Sequence, residues 1–253
     1  MRLGLINDAF HTLVTQRSGV RMSYTPMSSE SAVLLRQTTS EPSDGATDAC
    51  IGTCVEHLPL WTEAQLDTHL NASLDHWDGE SDLWVFAYGS LIWKPELETV
   101  ETRHARIYGY HRSLCLWSTI NRGTPAHPGL VLALDAGGSC EGLAFRVEAA
   151  RVRTEFLRLW RREMMRGSYL PTWLSAHTPQ GRVSALAFVM DRALPTYAGR
   201  LSDDDIVNAL RHARGLCGSS AEYLLSTVDA LKAHGLADRR LARYRHLYEH
   251  AAP

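Results

Sequence analysis

Leu83-Trp-Val-Phe-Ala-Tyr-Gly-Ser-Leu-Ile-Trp-Lys-Pro-Glu96 decides how the rest of the chain is read. Its first half, Leu83 to Tyr88, is an unbroken apolar run rich in aromatic and β-branched residues, which predicts a fully buried strand. Gly89 and Ser90 break the run, and Pro95 halts the short apolar segment Leu91 to Trp93 soon after it begins. At a buried strand end of this kind, backbone N–H groups and one hydroxyl can face a cavity. Glycine there lets the backbone approach a ligand closely. Turn geometry alone also explains many Gly-Ser strand ends.

Working outward, the segment before the strand is a helix. Thr62-Glu-Ala-Gln65 has capping-box form, and Leu66, Leu70, Leu74 and Trp77 come after it at helical spacing. Beyond the strand, Ala105 to Trp117 alternates apolar and polar groups, and Leu130–Leu134 and Glu141–Val147 read as two short strands split by Gly137-Gly138. Between Trp117 and Leu130 runs a long polar loop, Ser118 to Pro128, and long loops in compact domains are often functional. Val183 to Met190 is another buried strand. Helices open at Ser202-Asp-Asp-Asp205 and at Ser219-Ser-Ala-Glu222, and a last one covers about Asp238 to His250.

Val152 to Arg166 reads as a helix ended by Gly167 and Pro171. Phe156 and Trp160 mark its buried face, and Glu163 falls on the same face at i+7. A carboxylate stands where an apolar residue belongs. Burying it ionised is costly, so it finds donors or its pKa rises. An i,i+3 pair with Arg166, or a position at the helix edge, are the structural alternatives.

The chain has 253 residues, 45% hydrophobic, with net charge −2. That is enough for a sizeable core and offers no basic stripe for nucleic acid. No apolar run reaches membrane-spanning length. The five cysteines are odd in number and irregularly spaced, which points to a reducing compartment, the cytoplasm, over a disulfide framework. Cys50 and Cys54 make a poor zinc site on their own. From Ser23 to Asp48, ten of 26 residues are Ser or Thr, too polar to offset ordering entropy. Residues 1–57 are therefore expected to be a disordered extension, with Met22 or Met27 as a possible natural start, and 58–253 the folded domain. No P-loop, dinucleotide fingerprint, nucleophile elbow or H-E-x-x-H occurs, and Gly89-Ser90 lacks the helix context of an elbow. A site free of metal and protein nucleophile remains, suited to general acid/base chemistry on a small molecule.

Phe86-Ala-Tyr-Gly-Ser-Leu-Ile-Trp93 resembles the signature F-G-Y-G-S-L-I/M-W of the ChaC-type γ-glutamylcyclotransferases. Asn121-Arg-Gly-Thr-Pro-Ala-His-Pro-Gly129 is similar to that family's R-G-T/V-P…P-G loop. Arg162-Glu163 with Tyr169-Leu-Pro-Thr-Trp173 is similar to its R-E…Y-L-P-T-W segment, and Ser219 to Leu224 to its N-x-x-Y-L segment. These blocks stand in family order between about Trp61 and Leu236.

The resemblance implies an α+β fold with a small mixed β-barrel flanked by helices. It implies an enzyme that converts glutathione into 5-oxoproline and L-cysteinylglycine without a cofactor or metal. It places the general base at Glu163 and the γ-glutamyl-binding turn at Ala87, Tyr88, Gly89, Ser90, Leu91 and Ile92. Ala87 departs from the family's glycine by one methyl. Tyr169 and Tyr223 are potential phenolic donors, or core residues, and Arg122 could reach the glycine carboxylate of glutathione. The rivals are the same chemistry on other γ-glutamyl amines or amino acids, and a non-catalytic binder of γ-glutamyl or carboxylate ligands. Oligomeric state is not legible.

Overall fold

In a computed structural model, residues 58–250 are described. The expected extension, 1–57, and the Cys50/Cys54 pair lie outside them. The first helix, α1 (Glu63–Ser73), opens on Thr62 with the capping box complete. Leu66 and Leu70 bury on one side of α1 and Leu74 just past it, whereas Trp77 lies beyond the helix and packs at the core margin.

A closed five-stranded barrel comes next, built from β1 (Leu83–Ala87), β2 (Glu101–Ser118), β3 (Gly129–Val147), β4 (Tyr169–Thr178) and β5 (Gly181–Met190). Its order is β1-β3-β2-β4-β5, closed by a parallel pairing of β1 with β5 at Trp84–Ala185 and Val85–Leu186. β1 is only five residues long. Beyond it, β5 pairs with β3 itself, Leu134 with Val189, and the chain from Tyr88 leaves the sheet. It enters a single helical turn, α2 (Ser90–Trp93), so helix context does stand after Gly89-Ser90, contrary to the sequence reading. One turn gives too short a period to register in sequence.

Two further expectations are corrected. Leu130–Leu134 and Glu141–Val147 are parts of one 19-residue strand, β3. Gly109 on β2 stands opposite Gly137 and Gly138, all three at positive φ, in a bulge that bends the ladder without ending it. The segment after Gly167, read as a helix terminus, runs into β4. Its Pro171 reads as a strand breaker, but at that point β4 has β5 alone as neighbour, and its one pairing with β2 is at His177.

The helices clothe the barrel. α3 (Val152–Glu163) turns Phe156, Leu159 and Trp160 inward and stops three residues sooner than its pattern suggests, so Glu163 is its last residue. α4 (Asp203–His212) and α5 (Ser220–Ala233) both open with complete capping boxes. A two-residue-per-arm hairpin, β6 (Arg214–Gly215) and β7 (Gly218–Ser219), joins them. α6 (Arg239–His250) anchors through the fully buried Leu241. Among the described residues no helix is long and apolar enough to cross a membrane.

At Gly142, β3 passes so close to β1 that an added Cβ would lie 2.3 Å from the Ala87 carbonyl oxygen and 2.9 Å from the Phe86 ring. Both neighbours are fully buried, so neither can swing away. Gly142→Ala is expected to destabilise the fold by about 1–3 kcal/mol. Urea unfolding checks this; an unchanged midpoint would show that β1 has room to move.

Candidate active site

The chain leaving β1 turns a corner inside the molecule, and its backbone groups need partners there. The Tyr88 carbonyl accepts from Nε of Arg112, a buried β2 residue. Arg112 also donates to the Glu141 carbonyl (2.5 Å) and pairs with Asp238 (2.7 Å) just before α6. In a trans peptide the next N–H points the opposite way. The Gly89 N–H is therefore turned from Arg112. The N–H groups of Gly89, Ser90 and Leu91 have no acceptor among the described residues, and α2 has no side-chain cap.

These donors face a recess of about 20 Å³ lined by Tyr88, Gly89, Leu132, Glu163, Tyr169 and Tyr223. That is room for about one water-sized group. Ser90, Glu163, Tyr169 and Tyr223 also line an adjoining cleft of about 280 Å³, so the recess is the cleft's inner end.

Three phenols surround the recess. Tyr88 donates to the Phe188 carbonyl at 2.7 Å, and Tyr169 points at the Leu132 carbonyl at 3.4 Å. The Tyr223 hydroxyl accepts from the Leu132 N–H at 3.3 Å, which leaves its own proton to donate. Burial pushes the hydroxyls of Tyr88 and Tyr169 well above the usual phenol range and that of Tyr223 up to about 12. All three stay protonated at neutral pH.

Glu163 is carried to this point by the last turn of α3. Only 15% of its side chain is exposed. Burial raises its carboxyl above the ordinary range, against the pull of the neighbouring Arg162 guanidinium. Its partner is Arg162, at 3.0 Å, and not Arg166. Arg162 is the residue that sequence reasoning missed. It also donates to Ser90 Oγ (3.0 Å), to Glu96 (3.0 Å) and to the Lys94 carbonyl. Its sequence signal is its place in the R-E pair with Glu163, a place that carries no role of its own.

Across the cleft, Arg122 lies over the rings of Trp93 and Tyr223, 5.9 and 5.4 Å from their centroids. The polar loop that carries it is ordered by β6 and β7: Leu216 donates to the Ile120 carbonyl and Cys217 to the Asn121 carbonyl, each at 2.8 Å. A Cβ at Gly123 would fall 2.1 Å from the Gly129 nitrogen, so the loop's neck closes only on glycine.

The structure thus brings together Tyr88, Gly89, Ser90, Leu91, Arg122, Glu163, Tyr169 and Tyr223 around one cavity. Ala87 and Ile92 do not line it. Ala87 pairs with Leu143 in the barrel wall, and Ile92 is buried on the core side of α2. Here a desolvated carboxylate, a row of free amides and phenolic donors converge: a proton acceptor beside a binding place for negative charge.

A family model described as ChaC-like protein matches residues 83–250. The chain is 38% identical over 185 residues to the glutathione-specific γ-glutamylcyclotransferase of Escherichia coli K12, covering 73% of this chain and 80% of that protein. It is 33% identical to glutathione-specific γ-glutamylcyclotransferase 1 of Mus musculus, covering 62% and 74%. A crystal structure of a yeast γ-glutamyl cyclotransferase specific to glutathione superposes with a TM-score of 0.62 at 20% identity, covering 67% of this chain and 96% of the yeast one, which shows the shared fold. On the family match and the extent of the bacterial similarity, the chain belongs to the ChaC-like family.

Proposed function

We propose that this protein cleaves glutathione by cyclising its γ-glutamyl group, releasing 5-oxoproline and L-cysteinylglycine. The observation that carries the reading is the placing of the buried Glu163 carboxylate where the recess of free amides opens into the larger cleft. The names of the bacterial and mouse relatives support the same substrate.

The substrate supplies both nucleophile and electrophile. Its α-amine attacks its own γ-carbonyl carbon, a C–N bond forms, and the bond to the cysteinyl nitrogen breaks. No protein nucleophile is needed. The amine arrives as an ammonium, since its pKa is about 7.7–8.0. Two of its three protons end on the cysteinyl nitrogen, which leaves as an ammonium; the third stays on the lactam. Glu163 accepts from the attacking nitrogen and returns to the leaving one. Desolvation makes it a stronger base than a surface glutamate. The amides of Gly89 to Leu91 suit the α-carboxylate or the oxyanion of the tetrahedral centre. Tyr223 and Tyr169 stand as neutral donors beside them, and Arg122 on the far wall takes the glycine carboxylate. Holding the γ-glutamyl chain curled toward attack can supply about 7–11 kcal/mol in favourable cases.

The catalytic unit is 58–253 in this reading. The free cysteines Cys115, Cys140 and Cys217 accord with a reducing compartment such as the cytoplasm.

Glu163→Gln is expected to lower 5-oxoproline formation by about 10²–10⁴-fold, read by mass spectrometry of glutathione incubated with purified protein. Release of cysteinylglycine at the wild-type rate would rule the base out, and γ-glutamyl-alanine run alongside measures selectivity for the leaving group. The same variant bears on stability. A carboxyl whose folded pKa is raised binds its proton more tightly in the folded state. The folded protein therefore loses stability as pH rises through that pKa, while below the unfolded value of about 4.3 there is no loss. Glu163→Gln should unfold at a higher temperature than wild type at pH 8, and the gain should shrink toward pH 5; a less stable variant at pH 8 would contradict a strained carboxylate. Deleting residues 1–57 should leave turnover unchanged in the same assay.

A further inference from the structure

Four charged groups of alternating sign stand in a row along one wall of the cleft. Glu163 Oε1 meets Arg162 Nε at 3.0 Å, Arg162 Nη1 meets Glu96 Oε2 at 3.0 Å, and Glu96 Oε1 meets Lys94 Nζ at 3.1 Å. Side-chain exposure climbs along the row, from 15% at Glu163 and 20% at Arg162 to 46% at Glu96 and 58% at Lys94. The row runs from the recess out to water.

Arg162 is shared between two carboxylates. Nε holds Glu163, Nη2 holds Ser90 Oγ, and Nη1 is shared between Glu96 and the Lys94 carbonyl, so its direction is fixed from both sides. Glu96 is held for this contact at a backbone cost: at φ 49° it is the one non-glycine residue with positive φ among those described. Such outliers persist where the surroundings require them.

We infer that Arg162 is a positioning residue that sets the basicity of Glu163, and that Glu96 is its counterweight, drawing the guanidinium partly away so that Glu163 keeps its affinity for a proton. The inference rests on the cyclotransferase reading above. A guanidinium wholly committed to Glu163 would stabilise the carboxylate and make it a poor acceptor. With no guanidinium, nothing would oppose the rise that burial imposes on the carboxyl, and it would hold its proton more tightly. Glu96 divides Arg162 between these extremes. The other groups facing Glu163 are Tyr88 from the end of β1, Tyr169 from β4 and Tyr223 from α5, all neutral, with Arg122 across the cleft. Arg166 lines the cleft as well, but the guanidinium in contact with the base is that of Arg162. Burial and the nearby Glu96 raise the Glu163 pKa, and Arg162 lowers it, in the senses this division requires.

The test is the pH profile of kcat/KM for 5-oxoproline release, whose acidic limb reports the base. Arg162→Gln should move that limb up by about one pH unit or more. Glu96→Gln should move it down by a smaller amount. Arg162→Lys keeps the charge and should return the limb close to its wild-type position, although the lost fork lowers the plateau. A purely structural part for Arg162 would lower the rate in all variants and move no limb. Limbs that stay put, or that move the same way in Arg162→Gln and Glu96→Gln, would overturn the inference. A ¹³C NMR titration of the Glu163 carboxyl without substrate, assigned by its loss in Glu163→Gln, reads the same shifts where a variant is too slow to assay. It also separates the two readings: wild type that forms no 5-oxoproline refutes the proposed function, whereas unshifted carboxyl titrations in the Arg162 and Glu96 variants refute this inference alone.

Discussion

A strand that ends inside a protein must account for the backbone groups it no longer pairs. β1 is that strand. It is buried, five residues long, and its neighbours β3 and β5 close against each other beyond it. The peptide after Ala87 is left between the barrel and the helices. Arg112 takes the Tyr88 carbonyl from one side, and by doing so it commits the next N–H to the other. The uncapped first turn of α2 adds two more donors in the same direction. The site is thus where a strand cut short leaves its backbone donors open to a ligand. The apolar residues around it, Leu132 and Phe188 among them, keep water from satisfying those donors cheaply.

Against those donors the fold sets a carboxylate that it does little to comfort. Glu163 ends α3, where the helix dipole is unfavourable to negative charge, and it is largely withdrawn from solvent. One guanidinium offsets this, and it is already divided among other acceptors. A residue selected for stability alone would be apolar at this place, in register with Phe156 and Trp160. Its presence fits the general pattern in which local rules of folding are broken where chemistry is done.

Much of this was legible. The apolar run from Leu83 to Tyr88 and the three capping boxes declare themselves because their determinants are neighbours in sequence, and Glu163 declares itself by breaking a period of 3.6. The parts that were not legible depend on partners far along the chain. β4 carries a proline that is harmless only because β2 is absent beside it. β3 crosses two glycines because Gly109, about thirty residues earlier, bends in concert with them. Arg112 and Arg162 look like two arginines among many, and only the fold reveals that one meets Asp238 and the other Ser90. Ala87 and Ile92 belong to a contiguous motif, yet alternate residues of a strand end and a helical turn face opposite ways, so a motif read as a block includes core positions.

The loop bearing Arg122 is fastened by main-chain atoms: carbonyls of Ile120 and Asn121 to the hairpin, and a glycine neck between Gly123 and Gly129. The Ser118 and Thr124 hydroxyls add side-chain ties, accepting from the Arg122 and His127 N–H groups. Exchanging Arg122 alters the charge that wall presents and leaves the main-chain ties and the glycine neck in place. What that wall presents can thus change with Arg122, which rests on Trp93 and Tyr223, while the glycine neck beneath it stays as it is.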